Sequence, residues 1–308
     1  MVANLYGLKL KHLLAISLVG SIPHEDVASQ YSCDNLTNIY ENALEINQEI
    51  YITNDGHNDF VADKRREKAE KLIEKCENYL KILLTNDWSD SETHKLISTI
   101  LLILAHSNNN DLRGYLYSFI QSIPNSHPNK LQYLQQLSSR FLMAGDVKSY
   151  NEIVGDGAVT VNEASIESGR LSYRVETPSV LTEQFIDIST GNYLIVIGHP
   201  LCGFSQRFFA WYKKNESDLK IPKGSLITLA SVRRKEDLTA IHSYQTSETK
   251  INFNAVLDTR EWPIVLNWAT PSFYFFVDGE LVVQLIGWQG ESSADEFRQA
   301  LLKIREIS

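Results

Sequence analysis

The sequence predicts an all-α helical domain followed by an α/β domain, and three observations carry that prediction. Apolar residues recur three and four apart from about Asp34 to Val154. From Phe185 onward, short apolar runs of strand length alternate with helical stretches. Near the C-terminus, Asp278-Gly279 separates two such runs, a strong signal for a β-hairpin. With 43% hydrophobic, 10% aromatic and 22% charged residues over 308 positions, the chain can bury a sizeable core, which excludes a disordered or low-complexity protein. The net charge of -9 lacks the electrostatic footprint of a nucleic-acid binder, so no nucleic acid is expected as a partner. No histidine stands at metal-ligand spacing from another His or Cys, and no metal site is expected.

Residues 1–30 read as a signal peptide or as a first helix. Lys9, Lys11 and His12 precede the apolar stretch Leu13 to Ile22, and Val27-Ala28-Ser29 offers small residues for cleavage. Glu25 and Asp26 lie between the two and favour an amphipathic helix. The first reading implies a periplasmic or secreted protein, the second a cytoplasmic one. No apolar run reaches the roughly 18 residues of a membrane-spanning helix, so no transmembrane segment is expected.

Residues 31–154 form the helical domain. Leu36, Ile39, Tyr40, Ala43, Leu44 and Ile46 trace one apolar face, and Ala69, Leu72, Ile73, Cys76, Tyr79, Leu80 and Leu83 trace a second. Ser89 and Asp90 are placed to cap a helix through Ala105, Asp111 one through Ile123, and Pro124 and Pro128 bracket the turn into Leu131 to Met143. Gly155-Asp156-Gly157 then breaks the helical pattern. Residues 155–184 read as a linker or β-hairpin, with alternating apolar residues around Ser168-Gly169.

Residues 185–308 form the α/β domain. Tyr193 to Ile197 is continuously apolar, as expected of a strand covered on both faces. A helix over 203–214 follows, then a strand (Ser225 to Val232), a helix (Lys235 to Tyr244), a strand (Asn254 to Leu257) and a short helix (Trp262 to Trp268). Thr270-Pro271 precedes the hairpin of Phe273 to Val277 and Leu281 to Ile286, and Ser293 to Glu296 reads as a capping box opening the last helix.

Over about 120 residues this order resembles the thioredoxin fold, a central mixed sheet flanked by helices. Cys202-Gly203-Phe204-Ser205 stands where that family carries its redox motif, Thr270-Pro271 where it has its cis-proline, and Val277-Asp278-Gly279-Glu280 with Gly287 matches the following hairpin. The segment Phe253 to Asp258, running on to Trp268, is similar to the insertion of the thioredoxin-like reductases of cytochrome c maturation and of peroxiredoxin relatives. That subgroup is commonly exported. The tetrapeptide is also that of monothiol glutaredoxins, but His199-Pro200 replaces the expected upstream lysine and the expected glycine pair is missing, so no cofactor is implied.

Cys202 is the candidate nucleophile: the N-terminal end of a helix offers free N–H groups and partial positive charge that favour a thiolate. Ser205 occupies the position of the second motif cysteine, and a hydroxyl forms no disulfide, which excludes two-cysteine reduction within the motif. Val196 stands where the family keeps a buried acid, and Gly198 and Leu201 replace its tryptophans. The resemblance implies Cys202 and Ser205 as catalytic residues and Thr270, Pro271, Phe204 and His199 as substrate contacts. Its activity would be single-thiol disulfide exchange on protein or peptide thiols and disulfides with an external thiol reductant. The alternative is a redox-inactive binding module that recognises a partner through the helical domain. Cys33 and Cys76 are candidates for a structural disulfide, or for resolving Cys202.

Overall fold

The computed structural model describes residues 33–48, 59–86, 88–165, 168–222, 224–247 and 251–307. The segment 1–30, read as signal peptide or first helix, lies outside these residues. Six helices come first: α1 (Leu36–Gln48), α2 (Asp59–Leu83), α3 (Asp90–Leu104), α4 (Asn110–Ser122), α5 (Lys130–Leu142) and α6 (Val147–Val154). Their cores follow the sequence periodicity, with Ile39, Ala43, Leu72, Cys76, Leu80, Leu96, Ile100, Leu116 and Leu137 all buried. Ser89 caps α3 through a reciprocal capping box with Glu92. The cap of α4 is Asn109 rather than Asp111: the Asn109 side chain accepts from the Leu112 N–H at 2.7 Å and starts the helix two residues earlier.

The remaining elements are β1 (Thr160–Asn162), β2 (Arg170–Thr177), β3 (Val180–Ile186), β4 (Asn192–Ile197), α7 (Gly203–Leu219), β5 (Leu226–Ser231), α8 (Lys235–Gln245), β6 (Phe253–Val256), β7 (Ser272–Val277), β8 (Glu280–Ile286) and α9 (Glu291–Ile307). The strands form one mixed sheet in the order β1-β3-β2-β6-β5-β4-β7-β8. β4, β5 and β6 run parallel, linked through α7 and α8, while β7 and β8 are antiparallel to their neighbours. This connectivity, with α7 following the central strand β4 and a hairpin closing the sheet, is the one expected of a thioredoxin-like arrangement.

Period-2 alternation makes the central strands two-faced. Leu194 and Val196 of β4 and Phe273 and Phe275 of β7 join Phe208, Phe209 and Phe297 in the core beneath the helices. Ile195, Ile197, Tyr274 and Phe276 point the other way, into a smaller core closed by Trp262 and Val265.

Of the two readings of residues 155–184, the β-hairpin is the one observed: the stretch contributes β1, β2 and most of β3 to the same sheet, joined through Tyr173 to Ala255 of β6, and β3 crosses position 185. Other expectations are corrected. The hairpin turn lies at Pro178-Ser179. Ser168-Gly169 instead enters β2, and glycine is required there because φ is +109° and a Cβ would stand 2.6 Å from the Ile186 carbonyl. Residues 262–268 form no helix; Pro263 lacks an N–H, and the Tyr274 hydroxyl accepts from the Asn267 N–H and donates to its carbonyl, holding the segment irregular. Helix α7 continues to Leu219 beyond Lys213 and Lys214, and α9 begins at Glu291, with the Ser293 hydroxyl accepting from the Gln289 N–H.

Cys33 and Cys76 are joined by a disulfide that fastens the chain before α1 to the middle of α2, with Cα atoms 5.5 Å apart and 43 residues of sequence separation. Closing a loop of that length removes chain entropy from the unfolded state. The double variant Cys33→Ser/Cys76→Ser is expected to lose about 3–4 kcal/mol in chemical unfolding. An unfolding midpoint equal to that of the parent would contradict a stabilising bridge.

Candidate functional site

The site lies where the C-terminal edge of β4 meets α7. Cys202 is the N-cap residue of α7, with extended backbone (φ -88°, ψ 116°). Its N–H donates to the His199 carbonyl at 2.9 Å and its own carbonyl accepts from the Gln206 N–H at 2.9 Å, so the cysteine is fixed where the helix begins. Its thiol is partly exposed and lies 3.3 Å from the Thr270 carbonyl, to which it donates. The Thr270–Pro271 bond is cis. Two distant segments thus meet at one sulfur atom.

Burial alone would raise the Cys202 pKa. Hydrogen bonds from the Thr270 side chain, from the Ser205 backbone and hydroxyl, and from the Phe204 backbone outweigh it and hold the thiol below the ordinary cysteine range. Ser205 is fully buried in the first turn of α7, and its Oγ accepts from the His199 N–H at 3.2 Å. That leaves its hydroxyl proton available to the sulfur. Phe204 lies on the solvent side, 52% exposed, with the Arg207 guanidinium 4.4 Å from the ring centroid. Together with the exposed Leu201 it forms an apolar rim beside the thiol.

His199 is held by its neighbours rather than directed at the sulfur. Its Nδ1 accepts from the Leu201 N–H at 3.2 Å, and its Nε2 lies 3.5 Å from Asp237 Oδ1. Asp237 is the residue that sequence reasoning missed. Its other oxygen accepts from the N–H groups of Arg233 and Arg234 at 2.8 and 3.2 Å, capping α8. Burial would raise its pKa, but His199 and those two N–H groups lower it further, so the carboxylate stays charged. The signal was present in Arg233-Arg234-Lys235-Glu236-Asp237, where an acid stands in the third position of a helix.

The substituted motif positions fit their surroundings. Val196 is fully buried among apolar side chains. A Cβ at Gly198 would stand 3.0 Å from the Phe209 ring, so this position excludes a larger side chain unless Phe209 moves. Trp262 and Trp288 are buried in the core and take no part in a surface groove. Cys33 and Cys76 are bonded to each other, which leaves neither as a free thiol to resolve Cys202.

Titrating the ultraviolet thiolate absorbance of the native chain should give a Cys202 midpoint below the value near 8.5 of a free cysteine. Because the folded value is the lower one, this group contributes stability above the unfolded pKa and loses that contribution as pH falls through the folded pKa. Ser205→Ala should move the midpoint upward by a fraction of a unit. A midpoint at or above the free value would refute the activation. Separately, Asp237→Ala is expected to destabilise the fold by about 1 kcal/mol through the lost cap of α8; thermal unfolding equal to wild type would refute that role.

No protein-family model and no curated protein matches the chain. A solved structure of a thioredoxin-like protein from Bacteroides caccae ATCC 43185 is similar over 95% of this chain and 99% of its own, at 11% sequence identity and a TM-score of 0.29. With so loose a superposition, the architecture rests on the strand order and the placement of Cys202 against Thr270.

Proposed function

We propose that the protein performs single-thiol disulfide exchange on protein or peptide substrates. The observation that carries the reading is the position of Cys202: at the N-terminus of α7, partly exposed, beside Thr270, with serine in place of a second cysteine.

The Cys202 thiolate attacks one sulfur of a substrate disulfide along the S–S axis. A Cys202–substrate disulfide forms, the substrate S–S bond breaks, and the second substrate sulfur leaves as a thiolate that takes a proton from water. The backbone of Thr270, half-buried beside the sulfur, is placed to pair with an extended substrate, and the exposed Phe204 and Leu201 supply apolar contact. Ser205 cannot continue the reaction. The mixed disulfide is therefore released by a thiolate from outside the motif, either a second substrate cysteine or a small thiol such as glutathione. If the attacking thiolate belongs to the substrate, the product is a rearranged disulfide with no net oxidation. If it belongs to a small thiol, the substrate departs in disulfide linkage with that thiol, and a second equivalent is needed to reduce it.

His199 and Asp237 act as positioning residues in this reading, since their bonds fix the His199 to Cys202 turn. The Cys33–Cys76 bridge favours a periplasmic or secreted location in this reading, because such bridges persist in oxidising compartments.

The test is reactivation of a disulfide-scrambled protein with glutathione as the external thiol. The native chain should reactivate it and Cys202→Ser should lose that activity. In Ser205→Cys, the mixed disulfide should be released without added thiol and stop accumulating on mass spectrometry. Equal reactivation by native chain and Cys202→Ser would leave the fold as a binding module without turnover.

A further inference from the structure

Away from Cys202, a cavity of about 300 Å³ separates the helical domain from the 258–268 segment of the sheet domain. Five arginines line it: Arg65 and Arg66 of α2, Arg113 of α4, Arg140 of α5, and Arg260. The one carboxylate on its wall, Asp258, is taken up by Arg260, whose Nε donates to its two oxygens at 2.8 and 3.0 Å. This concentration of positive charge sits in a chain whose net charge is -9.

Arg113 forms part of the floor, 1% exposed; among the described residues no carboxylate hydrogen-bonds to it, although the charges of Asp146 and Asp258 act on it. Its two terminal nitrogens donate to the neutral side chains of Asn108 and Asn110, and its Nε is buried without a partner. Arg140 is similar: one terminal nitrogen reaches the Met143 sulfur at 3.5 Å and its Nε is buried without a partner. The Ser107 hydroxyl, also on the wall, has none either. Crowded positive charge acts on the neighbouring His106, whose pKa is pushed down to about 4 by burial and by Arg65 and Arg140. Leu266, Trp268 and Met143 give the cavity its apolar wall.

Two guanidinium groups, those of Arg113 and Arg140, each with a buried Nε lacking a hydrogen-bond partner and, among the described residues, with no bonded carboxylate, converge on this cavity; leaving them so is costly and calls for an anion. We propose that this cleft binds a small molecule carrying an oxyanion, a phosphate ester or a carboxylate. Arg113 and Arg140 are its main hydrogen-bond donors, Arg260 stands at the rim, and the apolar wall receives the rest of the molecule. A guanidinium fork matches either oxyanion, so the two chemistries share the site. The site is independent of the exchange chemistry at Cys202.

The full chain is titrated at low ionic strength with inorganic phosphate and, separately, with succinate, by calorimetry and thermal unfolding. Saturable binding near one equivalent, with a raised melting temperature, is expected for at least one of them. Phosphate binding alone assigns a phosphate ester, and succinate binding alone assigns a carboxylate. Arg140→Met should weaken the binding by about tenfold or more, the effect of losing a charge-assisted hydrogen bond. It should also raise the melting temperature of the anion-free protein, because one repelling charge is gone; a purely structural arginine would give the opposite sign. Should Arg140→Met fail to fold, Arg260→Gln at the exposed rim should weaken binding severalfold. Absence of saturable binding by both anions, or unchanged affinity in the variant that folds, overturns the proposal.

Discussion

The meeting of Cys202 with Thr270 depends on where two chain segments end. The first comes from the central strand β4, whose fully buried Leu194 to Ile197 leave the sheet and turn through His199-Pro200 into α7. The second comes from the irregular 258–268 segment, which closes the smaller core with Trp262 and Val265 and then enters β7 at Ser272. β4 and β7 are hydrogen-bonded partners, with Ile197 opposite Ser272, so the residues just beyond one strand necessarily lie beside those just before the other. The sheet register thereby sets the distance between the sulfur and the Thr270 carbonyl. The thiol's acidity comes from the donors around it, the Thr270 side chain, the Ser205 hydroxyl and the N–H groups that open α7.

The same geometry accounts for the chemistry the site can and cannot complete. A thiol held among N–H donors is a good attacking group and also a good leaving group, which suits it to forming and releasing mixed disulfides. The first turn of α7 would present a second thiol at position 205, but the residue there is serine, whose hydroxyl forms no disulfide. In a site of this design, release has to come from outside. The remaining cysteines serve stability instead, closing the helical domain upon itself.

Much of this arrangement was legible in the sequence because its signals are local. Cys202 directly follows a run of apolar residues that can only be an interior strand, and Asp278-Gly279 fixes the hairpin that follows Thr270-Pro271. Helices α1 to α5 were legible because their apolar spacing is strict. A hairpin within 155–184 was legible from its alternation, but the sequence points to a turn near Ser168-Gly169 rather than at Pro178-Ser179, because the glycine is the stronger local turn signal. The stretch at 262–268 imitates a helix in its spacing of Trp262, Val265 and Leu266, but those residues are distributed by Pro263 and the Tyr274 hydroxyl rather than by helical bonding. The arginine-lined cleft stayed hidden for a different reason: positions 65, 113, 140 and 260 have no periodic relation, and only tertiary packing brings them together.

The central claim is that Cys202 is an accessible, activated thiol able to form a mixed disulfide. The most direct measurement is the rate at which the native chain acquires a glutathione adduct from oxidised glutathione near neutral pH, followed by intact mass, with a cysteine-containing peptide as reference. The account predicts a single adduct, mapped to Cys202, formed faster than on the peptide and removed by excess reduced glutathione. An adduct that forms no faster than on the peptide, or none at all while the protein remains folded, would contradict it.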